Sequence, residues 1–444
     1  MSAAWRVYTE RNVLIILLLG FSSGLPLALT GSTLTIWMAD EGVDLGTIGL
    51  FSLVGLPYVL KFLWAPLVDA ASVPFLTRWL GRRRGWLVAT QLALLVAIAT
   101  MGIVDPVTAP FLMAFAAITV AFLSATQDIV VDAFRVESLE ENQYAAGTAV
   151  YIASYNVALR WIVGIGAVGA TYMFAGLGAA DNTLWPLAYV TMASLMVVGL
   201  IASLLAQEPA ESAEISAAQQ ILTYAERFQD AVINPFKDFI DKPAWFGILA
   251  FVLLFKFGDA FAGAMVAPFA LDIGFDKLVF TIIGAVSLPA TLIGAFLGGL
   301  LARLVSMHRA LWIAGILQMV SNLAFCWLAW MGPNETALAT TVAIEATTAG
   351  VGTVVFVAYL SSQCSTRAFT ATQFALLSSL AAVGRTVLSA SAGFVAAWTG
   401  WVPFFLITTL AAVPGLILLV WLGHKKLLEG DNPLRTVGKP QENQ

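Results

Sequence analysis

Two carboxylates and an arginine stand out in an otherwise oily stretch, Ala121–Glu137, which reads AFLSATQDIVVDAFRVE. On a helix Asp128 and Asp132 lie one turn apart and Arg135 follows three residues on, so all three share a face. A charge at the centre of a bilayer costs roughly 2.5–3.5 kcal/mol even on lenient insertion scales, so such a face turns to a water-filled path or to a partner. Two readings stand for it: an ion pair tying helices together, or a site that handles protons and charged solutes.

Six further charges fall inside apolar runs: Lys61, Arg160, Lys256, Asp259, Glu345 and Arg385. Lys61, Arg160, Lys256 and Arg385 are cations drawn from both halves of the chain, and four buried cations expect an anionic ligand; arginine can grip a carboxylate bidentately. Structural readings exist beside this one. Lys256 and Asp259 are three residues apart and can neutralise each other, and Lys61 follows Pro57 by four, where a proline frees a backbone carbonyl for an ammonium. For a moving proton the carboxylates are the candidates, because His308 and His424 fall at helix ends. Apolar surroundings favour the neutral carboxyl and a nearby cation favours the carboxylate, so a changing cavity can toggle it. Asp128 is placed first, Asp132 second and Glu345 third. Asp69 and Arg135, at matching ends of two spans, read as an inner-gate charge pair.

The elements that must carry these residues are membrane spans. The sequence is 59% hydrophobic and only 11% charged, against about 25% charged in soluble domains. Hydropathy and Gly/Pro breaks divide it into twelve spans near 13–37, 46–69, 86–104, 110–134, 144–172, 184–206, 244–270, 278–302, 309–331, 336–363, 369–398 and 401–423. With a cytoplasmic N-terminus, seventeen of the 22 basic residues fall on the cytoplasmic side and Lys277 alone on the other, whose loops hold Asp40, Glu41, Asp44, Asp105, Asp181, Asp272, Asp276 and Glu335. Both termini are therefore expected in the cytoplasm. The expected organisation is an all-α integral membrane protein: one six-helix bundle over 1–206, a cytoplasmic linker with an amphipathic helix over 207–243, a second six-helix bundle over 244–423 and a cytoplasmic tail over 424–444.

Several classes are set aside. The scattered basic residues make no nucleic-acid stripe. Cys326 and Cys364 are far apart in helical sequence and imply neither a disulfide nor a metal site. No Ser-His, Cys-His or metal constellation supports an enzyme. The first apolar stretch is a full span rather than a cleavable signal. Gly164, Gly166 and Gly169 have the GxGxxG spacing but follow no strand, so close helix packing is expected for them, as for Gly294 and Gly298. Gly20, Gly24, Pro26 and Gly31 are expected to let the first span bend.

Two six-span halves joined by a linker resemble the major facilitator superfamily, in which the halves rock about a central cavity. Asp69 followed by Gly81, Arg82, Arg83 and Arg84 resembles that superfamily's loop motif, with a longer gap than usual. Beyond it, the chain resembles the AmpG permease family. The resemblance lies in GFSSGLPLALTGSTLTIWM from Gly20, TIGLFSLVGLPYVLKFLWAPLVD from Thr47, GRRRGW from Gly81, SATQDIVVDAF from Ser124, KFGDAFAG from Lys256 and FTATQFALLSSLAAVGR from Phe369. These blocks come from both halves.

The resemblance implies a bacterial inner-membrane permease that imports GlcNAc-anhydro-MurNAc peptides by proton symport, for wall recycling and the signalling of β-lactamase induction. It implies no cofactor; a monomer in the lipid bilayer is expected. Longer relatives carry extra hydrophobic segments for which this chain has no room. For a sugar, aromatic platforms and hydrogen-bonding groups are needed, which adds Tyr155 and Gln127, with Gln373 in the second half. In the family an arginine commonly follows the tyrosine corresponding to Tyr155; here Asn156 stands there and Arg160 lies one turn on, about 6 Å away in depth. Two other functions compete: a permease for another bulky anion such as an acyl-CoA, and a non-transporting assembly or sensor protein on the same fold. Buried cations argue against the second, and substrate competition separates the first.

Overall fold

A computed structural model describes residues 7–140, 143–209, 244–363 and 370–424. Among the described residues the chain is all helical, with twelve helices long and apolar enough to cross a membrane. We number them α1 (Arg11–Asp40), α2 (Leu45–Leu63), α3 (Arg82–Gly102), α4 (Pro110–Ser138), α5 (Ala146–Gly176), α6 (Asp181–Leu205), α7 (Trp245–Asp272), α8 (Lys277–Leu304), α9 (Met307–Met331), α10 (Glu335–Leu360), α11 (Leu377–Thr399) and α12 (Trp401–His424). They coincide with the twelve expected spans to within a few residues, α11 apart, whose helix begins at Thr370. The amphipathic helix expected in the linker and the tail after His424 lie outside the described residues.

Contacts divide the chain into two compact units, Met1–Ala225 with Met265–Ala285, and Glu226–Ala264 with Val286–Gln444. In the first, Val13, Ile16 and Leu19 of α1, Leu87 of α3 and Val130, Val131 and Phe134 of α4 make a buried core. In the second, Phe251 and Phe255 of α7, Leu311 of α9, Val355 and Tyr359 of α10 and Leu419 of α12 do the same. Rings lock that core: Phe255 and Phe356 stack with centroids 5.3 Å apart, and Phe251 meets Tyr359 edge-on at 5.1 Å.

Lipid gives no hydrophobic reason for helices to associate, so close approach over small residues must supply the attraction. Gly20 and Gly24 do this in α1. A Cβ on Gly24 would lie 2.4 Å from the Tyr155 carbonyl oxygen, and one on Gly20 would lie 2.8 Å from that of Tyr151. Their role is to bring α1 against α5; the bend in α1 sits at Gly31, between helical segments Arg11–Thr30 and Ser32–Asp40. Gly294 and Gly298 are also contact glycines, where an added Cβ would strike the Thr347 and Val351 carbonyls. The expectation for the GxGxxG glycines fails. A Cβ on Gly169 meets nothing within 4 Å, and one on Gly166 meets only Met192, at 3.7 Å.

Several spans are interrupted where they carry charge. In α2, Pro57 follows a 3-10 stretch (Phe51–Gly55), and Lys61 opens another (Lys61–Leu63). In α5, Val157–Ile165 is π-helical and includes Arg160; π segments inside α-helices are frequent at functional sites because they re-aim side chains. In α7, Lys256 stands at the break between Trp245–Leu254 and Phe257–Gly263.

At the arginine-rich end of the first unit the loop motif becomes a clamp. Arg83, only 4% exposed, forms a bidentate pair with Glu137 of α4, its Nη2 2.5 Å from Oε1 and its Nε 2.9 Å from Oε2. Glu208 caps the start of α3, accepting from the Arg83 and Arg84 amides at 2.8 and 3.0 Å. This requires Gly81, whose φ of 94° favours glycine and whose Cβ would strike the Glu208 side chain. Arg84 also donates to the Ser203 and Leu204 carbonyls of α6 at 3.0 and 2.7 Å.

Candidate functional site

In the first unit the face forecast on α4 assembles with α2 and α5. Asp132 holds two cations: Lys61 Nζ lies 3.6 Å from its Oδ2, and Arg135 Nη2 3.2 Å from its Oδ1. The group is half-open, with side-chain exposures of 34% for Lys61 and 45% for Asp132. Arg135 also lies over the Tyr151 ring at 4.9 Å from its centroid, a cation–π geometry. Tyr151 and Tyr155 follow one another along α5 with ring centroids 6.1 Å apart.

One turn before Asp132, Asp128 is placed differently. Its Oδ1 is shielded from solvent and finds no hydrogen-bond partner among the described residues. The neighbouring Gln127 is fully buried, with Nε2 facing the Ser22 and Ser23 hydroxyls of α1 at 3.4 and 3.3 Å. Tyr58 Oη of α2 and Ser124 Oγ of α4 are buried as well and neighbour each other. A buried carboxylate oxygen without a donor is rare in folded proteins. Trp64 donates to Thr126 at 3.1 Å, fixing α2 beside α4.

In the second unit Lys256 and Asp259 each hydrogen-bond a neutral side chain. Lys256, 9% exposed, donates to Thr353 Oγ1 of α10 at 2.7 Å. Asp259 accepts from the Gln318 amide of α9, a side chain 3% exposed. Gln318 fits there because Gly352 leaves room for it; a Cβ on that glycine would lie 2.3 Å from its Cδ. Lys256 and Asp259 thus hydrogen-bond to different helices, while their charges still attract each other along α7. Arg385 and Glu345 belong to the electrostatic surroundings of Lys256.

The predicted residues therefore fall into two groups. Lys61, Gln127, Asp128, Asp132, Arg135, Tyr155 and Arg160 lie on α2, α4 and α5 of the first unit; Lys256, Asp259, Glu345 and Arg385 lie on α7, α10 and α11 of the second. The carboxylate that pairs with Arg135 is Asp132. The Asp69 side chain, its expected gate partner, lies outside the described residues, as does that of Gln373. Sequence reasoning passed over Ser22, Ser23, Gln318 and Thr353. Each is a polar residue in an apolar span, and that was the available signal. It also passed over the Arg83–Glu137 pair, although both residues stood in stretches it had singled out.

A profile described as Major Facilitator Superfamily matches residues 16–381. The chain is 41% identical over 418 residues to the anhydromuropeptide permease of Escherichia coli, an alignment that covers 94% of this chain and 80% of that relative. The chain belongs to the AmpG permease family of the major facilitator superfamily. Within it, the putative transporter AmpG 4 of Rickettsia felis is 32% identical over 421 residues, covering 95% of this chain and 98% of that relative. Solved superfamily structures share the fold at low identity. A bacterial homologue of the human lysosomal transporter Spinster has a TM-score of 0.66 at 14% identity, covering 98% of this chain and all of that one. The xylose transporter XylE of E. coli has a TM-score of 0.62 at 11% identity, covering 91% and 94%. This AmpG family member is a membrane transporter and not an enzyme, with twelve candidate spans among the described residues.

Proposed function

We propose that this AmpG family member imports anhydro-muropeptides, GlcNAc-1,6-anhydro-MurNAc linked to a short peptide, across the bacterial inner membrane by proton symport. The solute feeds wall recycling and the signal that induces β-lactamase. The substrate class is supported by the 41% identity to a relative named for it. The inventory of intramembrane cations agrees, because the peptide stem carries several carboxylates. In this reading the halves 1–206 and 244–423 are the two moving bundles, joined by 207–243 and followed by the tail 424–444, with both termini cytoplasmic and the protein working as a monomer.

The observation that carries the proton step is the unequal treatment of the two carboxylates of α4. Asp132 is held by Lys61 and Arg135. Asp128, one turn away, has an oxygen shut off from solvent with no donor among the described residues. A group so placed is suited to carry a proton, and Lys61 nearby is suited to expel it when a carboxylate of the solute takes or leaves that cation. Asp132 and Glu345 are the reserve carriers. Contacts to the solute are assigned to Lys61, Gln127, Tyr155 and Arg160 in the first half and to Lys256, Asp259, Gln373 and Arg385 in the second. Asp69 and Arg135 serve the inner gate.

The test is uptake of labelled GlcNAc-anhydro-MurNAc-tripeptide into proteoliposomes under an inward proton gradient, comparing the wild type with Asp128→Asn. Gradient-driven accumulation is expected in the wild type and its loss in the variant, with binding or exchange retained. Accumulation that survives moves the proton to Asp132 or Glu345. Absence of uptake in the folded wild type overturns the solute assignment.

A further inference from the structure

Lys277 is the lone basic residue assigned to the acidic side of the membrane, and the structure gives it a specific seat. Its Nζ lies 2.5 Å from Asp40 Oδ2 at the end of α1, and the pair is only 17% and 28% exposed. The same ammonium lies 5.6 Å from the ring centroid of Tyr172 on α5 and 5.3 Å from that of Trp185 on α6. Trp185 Nε1 donates to the same Asp40 oxygen at 2.9 Å, and its ring stacks on Trp37 of α1 at 5.7 Å. One residue earlier, Asp276 accepts from the Tyr172 hydroxyl and caps α8 through the Leu278 and Val279 amides at 2.8 and 3.1 Å. Burial pushes the Asp276 carboxyl up, but those donors outweigh it and hold it below its ordinary value, so it stays ionised. A recess of about 710 Å³, bordered by Asp44, Ile48, Pro268 and Phe275 with the pair itself, adjoins the seat.

The segment that bears Lys277 is bounded by helix breaks. Met265–Ala285 belongs to the first unit while the remainder of α7 and α8 belongs to the second. Those boundaries fall where helices are interrupted: at Ala264 and Met265, between Phe257–Gly263 and Val266–Asp272, and at Val286, between Lys277–Ala285 and Ser287–Leu304. Helix interruptions of this kind are where a hinge absorbs backbone change.

We propose that Lys277 and Asp40, framed by Tyr172 and Trp185, are the outer latch of the transporter, and that the hairpin Met265–Ala285 swings on its two helix breaks when the latch opens. The latch is closed in this structure. Its parts are individually weak, a partly exposed ion pair and two cation–π contacts, which suits a closure that must be broken in every cycle. The inference rests on transport by alternating exposure of a site and not on the identity of the solute.

The test reads opening without substrate. Ala270, fully buried on the hairpin, is replaced by cysteine in a chain whose Cys326 and Cys364 are serine, and its labelling by a membrane-impermeant thiol reagent is timed from the acidic side. Lys277→Gln and Asp40→Asn are each expected to speed labelling by roughly three- to tenfold, and the charge exchange Asp40→Lys with Lys277→Asp to slow it again. A second experiment joins Asp40→Cys to Lys277→Cys with a short reducible bifunctional thiol reagent; uptake is expected to stop when the bridge forms and return when it is reduced. Labelling rates unchanged by all three charge variants, or uptake that persists in fully bridged protein, overturn the latch.

Discussion

The charged sites of the two units use the same residue types and hold them in opposite ways. In the first, Lys61, Asp132 and Arg135 satisfy one another as ions in a half-open place, and one oxygen of Asp128 beside them has no donor among the described residues. In the second, Lys256 and Asp259 are each held by a neutral group on another helix, Thr353 and Gln318. An ion pair open to water contributes little to stability and is readily exchanged for a ligand charge. A buried ion that loses its neutral hydrogen-bond partner bears the cost of an unmade bond. Under the proposed function the first site changes partners and the second keeps its charges in position.

The largest effect that sharpens this contrast is expected from Lys61→Met. Uptake should fall at least about tenfold, as for loss of an interaction used in the transport step, while unfolding in detergent shifts by less than about 1 kcal/mol. A variant that transports normally would make the Lys61–Asp132 pair a surface contact and remove the asymmetry. Next comes Gln318→Leu, which deprives Asp259 of its amide donor and should lower stability by about 2 kcal/mol. An unchanged melting temperature would mean that the second site is as exchangeable as the first. Thr353→Val keeps the volume but removes the acceptor for Lys256, for an expected loss of about 1 kcal/mol by the same measurement; thermal stability equal to the wild type would place the Lys256 ammonium on another partner. The smallest change is Tyr151→Leu, which takes the ring from beneath Arg135 and should destabilise by about 0.5 kcal/mol. A loss several times larger would show that Tyr151 does more than seat the guanidinium.

Twelve spans, their approximate limits and the family were legible in the sequence because membrane burial demands long apolar helices and tolerates charge only where it has a use. The face carrying Asp128, Asp132 and Arg135 was legible for the same reason, since helical spacing alone brings those side chains together. The glycines were not readable individually. Gly20 and Gly24 were expected to bend α1 and instead admit α5, whereas Gly164, Gly166 and Gly169 were expected to pack closely and have ordinary contacts at the first two and open space at the third. A glycine permits both bending and close approach, and the neighbouring helix decides which is used.

The sequence by itself determined which charged residues fall within apolar spans and on which helices they lie. Tertiary structure alone decided their partners. Lys256 and Asp259 are separated by one helical turn, yet their donors and acceptors come from α10 and α9, about 97 and 59 residues away along the chain. Asp40 and Lys277 are 237 residues apart in sequence and in direct contact. Local spacing fixes a face because helix geometry repeats every 3.6 residues or so. It carries no information about which distant face arrives opposite, which depends on how whole helices pack.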